Sequence, residues 1–396
     1  MNASASLASA EPSEVGLSPQ RLALVRQVLQ SAVDTGMLPG AVWMVSRRGR
    51  LACFEAIGEQ DPVTHAPMRP DSIFRVYSMT KPIVSLVTMM LAEEGRLQIS
   101  DPISKYLPMF ASPQVAVEHA GRVELVPAQR EIMIHDLLRH TSGLTYEFLG
   151  ESAVQKMYVA SNIASIERSN AQLIEELARL PLMYQPGTVW HYSRSTDVLG
   201  RLLEVVTGSS LGELLTERVL GPLQMNDTAF HVPEGKHERI AQPFGTDPES
   251  GVKVQLIDAS TRPAMEMGGG GLMSTAPDYA RFLALLAGKG KFGALRLISR
   301  KTLELMTADH LGGLPITTDL LSPGHGFGLG FAVRTDAGLA PGPGTIGTYH
   351  WSGIGGTSFW VDPAEELSAM LLSQAPYQRI HFRQLFRNMI YATIDD

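Results

Sequence analysis

Cysteine is nearly absent from this sequence: Cys53 stands alone among 396 residues, so no internal disulfide can form. In the stretch LACFEAIG it reads as a small buried side chain of a strand. Blocks of one charge are missing too. The 33 basic and 40 acidic side chains are interspersed and leave a net charge of -7. That balance argues against nucleic acid and against an anionic membrane surface as partners. No uncharged apolar run reaches the roughly 18 residues that a membrane-spanning helix needs. The opening MNASASLASAEPSEVGLSPQ has neither the basic start nor the apolar stretch of a secretory leader. A soluble cytoplasmic protein is the expectation. Repeats are absent, and the short glycine run 268–271 is the one low-complexity tract.

What remains is an ordinary globular composition, 44% apolar and 18% charged. The chain is long enough for one large two-part domain or for two domains. Residues 1 to about 16 are expected to be disordered. A helix follows in SPQRLALVRQVLQSAVDTG, with Ser18 as its N-cap and Pro19 at the first helical position. AVWMVSRRGRLACFEAIG reads as a hairpin turning at Arg47, Arg48, Gly49 and Arg50. From about Gln98 to Asp258 helices and long loops dominate, and strand patterns are missing. NAQLIEELARLPL and STDVLGRLLEVVTG are the clearest amphipathic segments there.

From Gly268 the character changes. GGGGLMSTAPDYARFLALLAGKG combines a glycine turn, a capping box from Thr275 to Asp278 and a helix. HGFGLGFAV, GTYHWSG, GTSFWVD and LSAMLLSQ are spaced like successive antiparallel strands, and HFRQLFRNMIYATI closes the chain as a helix. The predicted fold class is α+β: one antiparallel sheet built from both chain ends, flanked by helices, with a mostly helical insertion. The predicted domains are 1–97 together with 259–396, and 98–258, with the active site between them.

The segment RVYSMTKPIVSLVTMMLAEEG, residues 75–95, carries the chemistry. Proline is tolerated in the first turn of a helix and costly further in, so Pro82 places the helix start near Ser78 to Thr80. The run from Ile83 to Leu91 is apolar almost all round, which marks a buried helix, and Gly95 supplies a stop. Ser78 and Lys81 then lie one turn apart on the same face. The Ser78 N–H can point at an anion, helped by the helix dipole. Burial lowers the pKa of a lysine and lets it act as a base toward a hydroxyl. The alternative leaves Ser78 as a plain N-cap. A second Ser-x-x-Lys, Ser250 to Lys253 in DPESGVKV, falls in a turn leading to a strand, where the two side chains need not share a face.

SMTKP resembles the nucleophile motif of the serine β-lactamase and penicillin-binding protein superfamily. Three further blocks recur in that family's order: IHDLLRHTSGL (134–144), YQPGTVWHYSRSTDVLGRLLEVVTG (184–208) and GGGLMSTAPDYARFL (269–283). They are similar to blocks of the class C branch and extend the resemblance over nearly the whole chain. The resemblance implies a β-lactamase-like fold with Ser78 as nucleophile and Lys81 as its proton acceptor. Tyr192, in WHYSRS, takes the place of the family's Tyr-x-Asn tyrosine, which shares the base and acid work. The family's Lys-Thr-Gly strand reads Trp351-Ser352-Gly353-Ile354 here. Ile354 is thereby implied to lend a second oxyanion N–H beside that of Ser78.

Two departures bear on substrate. Trp351 stands where a cation would hold the carboxylate of a β-lactam or peptide. Arg194 stands where an Asn amide would contact an acylamino side chain, and it could partly restore a cation. A tryptophan in the third motif is similar to the family VIII carboxylesterases, which use this scaffold on esters. The resemblance therefore implies small, short-chain acyl esters as substrates, neutral rather than anionic, with no metal and no cofactor. β-Lactamase or D-amino-peptidase-type amide hydrolysis is the alternative. His350, beside Trp351, is expected to be structural or substrate-lining.

Rival motifs carry less. Gly208-Ser209-Ser210-Leu211-Gly212 fits the Gly-x-Ser-x-Gly elbow, which needs a strand before the serine. VLGRLLEVVTG is helical instead, so Gly208 reads as a helix end and Ser209 or Ser210 as the next cap. His231 and His237 share a loop without a third liganding neighbour, so zinc is not expected. The glycine run lacks the Lys-Ser or Lys-Thr of a phosphate loop and reads as backbone passing close to the site. Two function classes remain: a hydrolase with an acyl-enzyme on Ser78, with acyl transfer to an alcohol as a variant, and a non-catalytic binder or sensor. Retention of Ser78, Lys81 and Tyr192 together favours the enzyme. No segment reads as an amphipathic lid, so long-chain triglycerides are not expected as substrates.

Overall fold

Every residue of the strand Gly40–Arg47 is buried in the computed structural model, which describes residues 7–119 and 122–396. An antiparallel strand with no wet side must be central and covered on both faces. It pairs with Leu367–Ser373 on one side, Met44 opposite Met370, and with Arg50–Asp61 on the other, Met44 opposite Phe54. The full sheet runs in space as His325–Phe327, Ala332–Arg334, Tyr349–Ser352, Ser358–Asp362, Leu367–Ser373, Gly40–Arg47, Arg50–Asp61 and Ala66–Pro67. All neighbours are antiparallel. The two ends of the chain therefore meet in its middle, which is the α+β, β-lactamase-like architecture expected of the sequence.

The two-residue period of the strands divides the interior into two cores. Ala41, Trp43, Val45, Trp360, Ala369 and Leu371 face the helices Pro19–Asp34 and Arg379–Tyr391, with Trp43 and Trp360 meeting Phe386 edge-on at 5.8 and 5.6 Å. Ser18 caps the first of these helices, its Oγ accepting from the Arg21 N–H. Val42, Met44, Phe359, Val361, Met370 and Leu372 face the other way, toward the helices Thr80–Glu93 and Ala276–Ala287. That second core continues through Leu137, Trp190 and Leu202, so the inserted segment shares its apolar interior with the sheet. Among the described residues no helix is long and apolar enough to cross a membrane.

Four expectations need correction. Residues 7–16 are ordered rather than disordered: Ala10 N donates to Leu51 O, and the turn Pro12–Val15 buries Val15 beneath the terminal helices. Residues 1–6 of that stretch lie outside the described residues. The insertion contains a hairpin, Gln114–His119 with Arg122–Pro127, whose period-two signal is hidden because most of it is exposed. Thr275 does cap its helix, accepting from Asp278 N, but the Asp278 carboxylate turns to Asp227 N and Thr228 Oγ1 instead of closing the box. Cys53 is half-buried rather than enclosed; burial and Glu55 push its thiol up to about 12, which makes it a poor nucleophile.

The short pairing of Ile73–Arg75 with Met273–Thr275 positions the site. It brings the segment before Ser78 against the segment after the glycine run, and Val76 N extends the contact to Leu272 O at 3.1 Å.

Candidate active site

One 3-10 turn, Tyr77–Met79, separates that short strand from the helix Thr80–Glu93. Pro82 falls in the helix's first turn, and Gly95, at φ 70°, follows its end. Tyr77 has φ 45°, a left-handed conformation that a bulky residue holds only under external constraint. Its hydroxyl accepts from Ile257 N at 3.0 Å, and a side chain on Gly355 would collide with its ring. Ser78 sits on this strained turn and caps no N–H; the helix has no side-chain cap. Its Oγ instead accepts from Tyr192 OH at 2.7 Å and from Lys81 Nζ at 3.1 Å. The plain N-cap alternative is thereby removed.

Lys81 is 1% exposed, an unusual place for an amine. Its Nζ also donates to Tyr146 OH at 3.1 Å and to Gly269 O at 2.5 Å. Burial lowers its pKa to about 7, Asp197 pulling it back up and Arg194 pushing it further down. The glycine run does bring backbone close: a Cβ at Gly269 would stand 2.8 Å from Tyr146 OH and 2.9 Å from Asp197 Oδ1. Asp197 Oδ1 accepts from Gly269 N at 2.7 Å, and Gly270 N, which shares a peptide plane with the carbonyl that receives Lys81, donates to Met267 O at 3.1 Å.

Tyr192 is buried, and burial raises the pKa of its phenol while the Ser78 contact opposes the rise. Its ring packs between Lys81 Nζ, 4.5 Å from the centroid, His140 at 4.6 Å and Trp351 at 5.4 Å. Tyr146 is the group that sequence reasoning missed. It lies two residues beyond the matched block 134–144, and a hydroxyl-bearing aromatic there was the only available signal.

Arg194 does not restore a free cation. It is buried against Glu147 at 2.6 Å and Asp197 at 3.4 Å, so two carboxylates already answer its charge. His350 does not line the cleft. It alternates with Trp351 along Tyr349–Ser352 and faces the opposite side of the sheet, edge-on to His325 at 5.1 Å. Burial keeps it well below the usual histidine range.

The third motif turns beside Ser78. A Cβ at Gly353 would lie 2.4 Å from both Val76 O and Thr357 Oγ1, so only glycine fits there. Neither the Ser78 N–H nor the Ile354 N–H has an acceptor among the described residues. Both residues line a cleft of about 230 Å³ together with Tyr146, Phe148, Tyr192 and Trp351. A cation is present after all: Arg379 and Arg383, from the C-terminal helix, also line it. A hydroxyl between an amine and a phenol, in a cleft lined by two residues whose N–H groups have no acceptor among the described residues, has the groups that nucleophilic attack on a carbonyl needs.

The rival serines are placed elsewhere. Gly208, at φ 78°, ends the helix Ser195–Thr207, and Ser210 caps the next helix in a closed capping box with Glu213. Ser210 lines a larger cavity of about 400 Å³ that contains neither Ser78 nor Tyr192. Ser250 Oγ is bound to Asp247 within a turn.

A β-lactamase family profile matches residues 25–389. Protein Rv1367c of Mycobacterium tuberculosis is 35% identical over 356 residues, covering 87% of this chain and 88% of its own. Esterase EstB of Burkholderia gladioli is 32% identical over 392 residues, covering 94% and 95%. Among solved structures, "EstCE1, a hydrolase with promiscuous acyltransferase activity" superposes with a TM-score of 0.79 at 29% identity, covering 94% of this chain and 99% of that one. With a profile match along most of its length and relatives above 30% identity over 87% and 94% of it, the chain belongs to the β-lactamase family.

Proposed function

We propose that this protein is a serine carboxylesterase that cleaves short-chain acyl esters through an acyl-enzyme on Ser78. The observation that carries the reading is the pair of contacts at Ser78 Oγ, 2.7 Å to Tyr192 OH and 3.1 Å to Lys81 Nζ, inside an aromatic cleft. Neutral Lys81 takes the Ser78 proton as Oγ attacks the ester carbon. The Ser78 and Ile354 N–H groups receive the developing oxyanion. Tyr192 hands a proton to the leaving alkoxide and is reprotonated from Lys81. Water then attacks the acyl carbon along the same path and loses its proton to Lys81; the bond to Ser78 Oγ breaks, Oγ takes the proton back from Lys81, and the acid is released.

Trp351 offers an indole where the family's cation would sit, which adds apolar area but pairs no carboxylate. The two arginines that line the cleft already donate to backbone carbonyls, Arg379 to Pro376 O and Arg383 to Gly353 O and Thr357 O, so esters are favoured over β-lactams. The similarity to Esterase EstB supports the ester reading, and that to the hydrolase EstCE1 supports hydrolysis. A second reading, acyl transfer to an alcohol, is supported by the promiscuous acyltransferase activity of EstCE1, and it needs only that an alcohol replace water in the second half-reaction.

A fluorophosphonate probe followed by peptide mass analysis tests the nucleophile, and a panel of two- to six-carbon nitrophenyl esters beside a chromogenic cephalosporin tests the substrate. Labelling at Ser78 with ester turnover well above cephalosporin turnover is expected. Labelling elsewhere, no labelling, or a higher kcat/KM on the cephalosporin would overturn the assignment.

A further inference from the structure

The Ile354 N–H serves an oxyanion only if its peptide plane is held the right way round. In a trans peptide the carbonyl of Gly353 and the N–H of Ile354 point in opposite directions, and the described backbone has no cis bond. Whatever grips Gly353 O therefore aims Ile354 N–H. Two donors do so. Gly356 N closes the turn at 3.2 Å, near the limit of a useful bond, and Arg383 Nη2 reaches the same oxygen from the helix Arg379–Tyr391.

Arg383 Nη2 also donates to Thr357 O at 3.2 Å, the carbonyl that accepts from Gly353 N at 2.9 Å. One guanidinium nitrogen thus ties both ends of the turn. The group has no carboxylate partner among the described residues, and its Nε is buried without any partner. Arg383 is half-buried at the wall of the cleft, and packing alone gives no reason to hold a cation there without a carboxylate and with its Nε unpartnered. The contrast with Arg194, buried against two carboxylates, marks Arg383 as a different kind of arginine.

We propose that Arg383 is a positioning residue for the oxyanion hole: by holding Gly353 O it keeps Ile354 N–H turned toward the carbonyl that Ser78 attacks. The inference rests on the acyl-enzyme reading above. It predicts an effect on the transition state rather than on substrate affinity.

Arg383→Met keeps the apolar stem and removes the donor, whereas Arg383→Lys keeps a donor. On nitrophenyl butyrate the Met variant should lose on the order of 10²- to 10³-fold in kcat, the range seen when one oxyanion donor is removed, with KM within about threefold. The Lys variant should recover much of the loss. Sulfur accepts hydrogen bonds poorly, so the preference for an oxygen ester over its thionoester analogue should shrink in Met and return in Lys. A Met variant with undiminished kcat, a change confined to KM, or an unaltered oxygen-to-sulfur preference would overturn the proposal. Failure of both variants to fold would overturn it as well, because the arginine would then be structural. Ser78→Ala run in parallel separates the two levels: an active Ser78→Ala sinks the acyl-enzyme reading itself, while a dead one beside a fully active Arg383→Met sinks only the role of Arg383.

Discussion

If Lys81 is the base, the rate must follow its deprotonation. An ordinary lysine titrates near 10.5 and is neutral in only about one molecule in 3,000 at pH 7. Burial brings Lys81 to about 7, where about half the molecules carry a neutral amine. The difference corresponds to about 5 kcal/mol of penalty on the charged form. The sign is fixed: kcat/KM for a neutral ester should rise tenfold per pH unit below the inflection and level off above it. That inflection, near pH 7, belongs to the free enzyme. His140, behind Tyr192, is held well below the usual histidine range by burial, then by Lys81 and His191, so it cannot supply the inflection.

Asp197 gives the means to move it. Its carboxylate raises the Lys81 pKa, and its Oδ1 accepts from Gly269 N at 2.7 Å. Asp197→Asn keeps an acceptor for that N–H and removes the charge, while Glu147 still pairs Arg194. Loss of a nearby opposite charge shifts a titration by on the order of one pH unit. The variant's inflection should therefore fall toward pH 6. Initial rates on nitrophenyl acetate from pH 5 to 9, with thermal melting as a check on folding, measure both curves. An inflection that stays put, or one that rises, would refute the assignment of the base.

Ser78→Ala should abolish ester hydrolysis, by as much as a million-fold in kcat, whereas Ser210→Ala should keep most of it and lose only about 1 kcal/mol of helix capping; the reverse outcome would revive the strand–helix elbow. Lys81→Ala and Tyr192→Phe should each cost several orders of magnitude, and the double variant little more than the worse single one, since both act on the Ser78 proton; additive losses in steady-state kcat would argue against a shared network.

The parts of the site that were legible in the sequence are local ones. Ser78 and Lys81 share one helical turn, so spacing alone places them together, and Pro82 fixes where that turn begins. Gly353 was legible as part of a motif, although the reason only glycine fits, the approach of Val76 and Thr357, is tertiary. Tyr146 and Arg383 were not legible. Tyr146 meets Lys81 across 65 residues of sequence, and Arg383 meets Gly353 from a terminal helix whose pattern looks like an ordinary amphipathic one. Arg194 was misjudged because one partner, Glu147, comes from another segment, although the other, Asp197, stands three residues on in the same stretch. His350 was recoverable: if Trp351 faces the cleft, strand alternation sends its neighbour to the other side.

Two groups touch Ser78 Oγ, and burial acts on them in opposite directions, which supports Lys81 as the base of the proposed mechanism. A phenolate at Tyr192 would require an anion in a buried aromatic setting, and burial instead moves that phenol above its ordinary value of 10. The amine of Lys81 moves the opposite way for the same reason, down to about 7, because burial penalises whichever form is charged. One physical cause therefore separates the two roles by at least three pH units. It leaves a neutral amine able to accept a proton and a neutral phenol able to donate one. Asp197 raises the Lys81 pKa and Arg194 lowers it, yet the net shift is downward because burial is the largest cause. With Lys81 in its neutral form, the amine, hydroxyl and phenol that meet at Ser78 carry no charge of their own. In the proposed mechanism charge develops on these groups as the ester carbon is attacked, where the Ser78 and Ile354 N–H groups have no competing acceptor among the described residues.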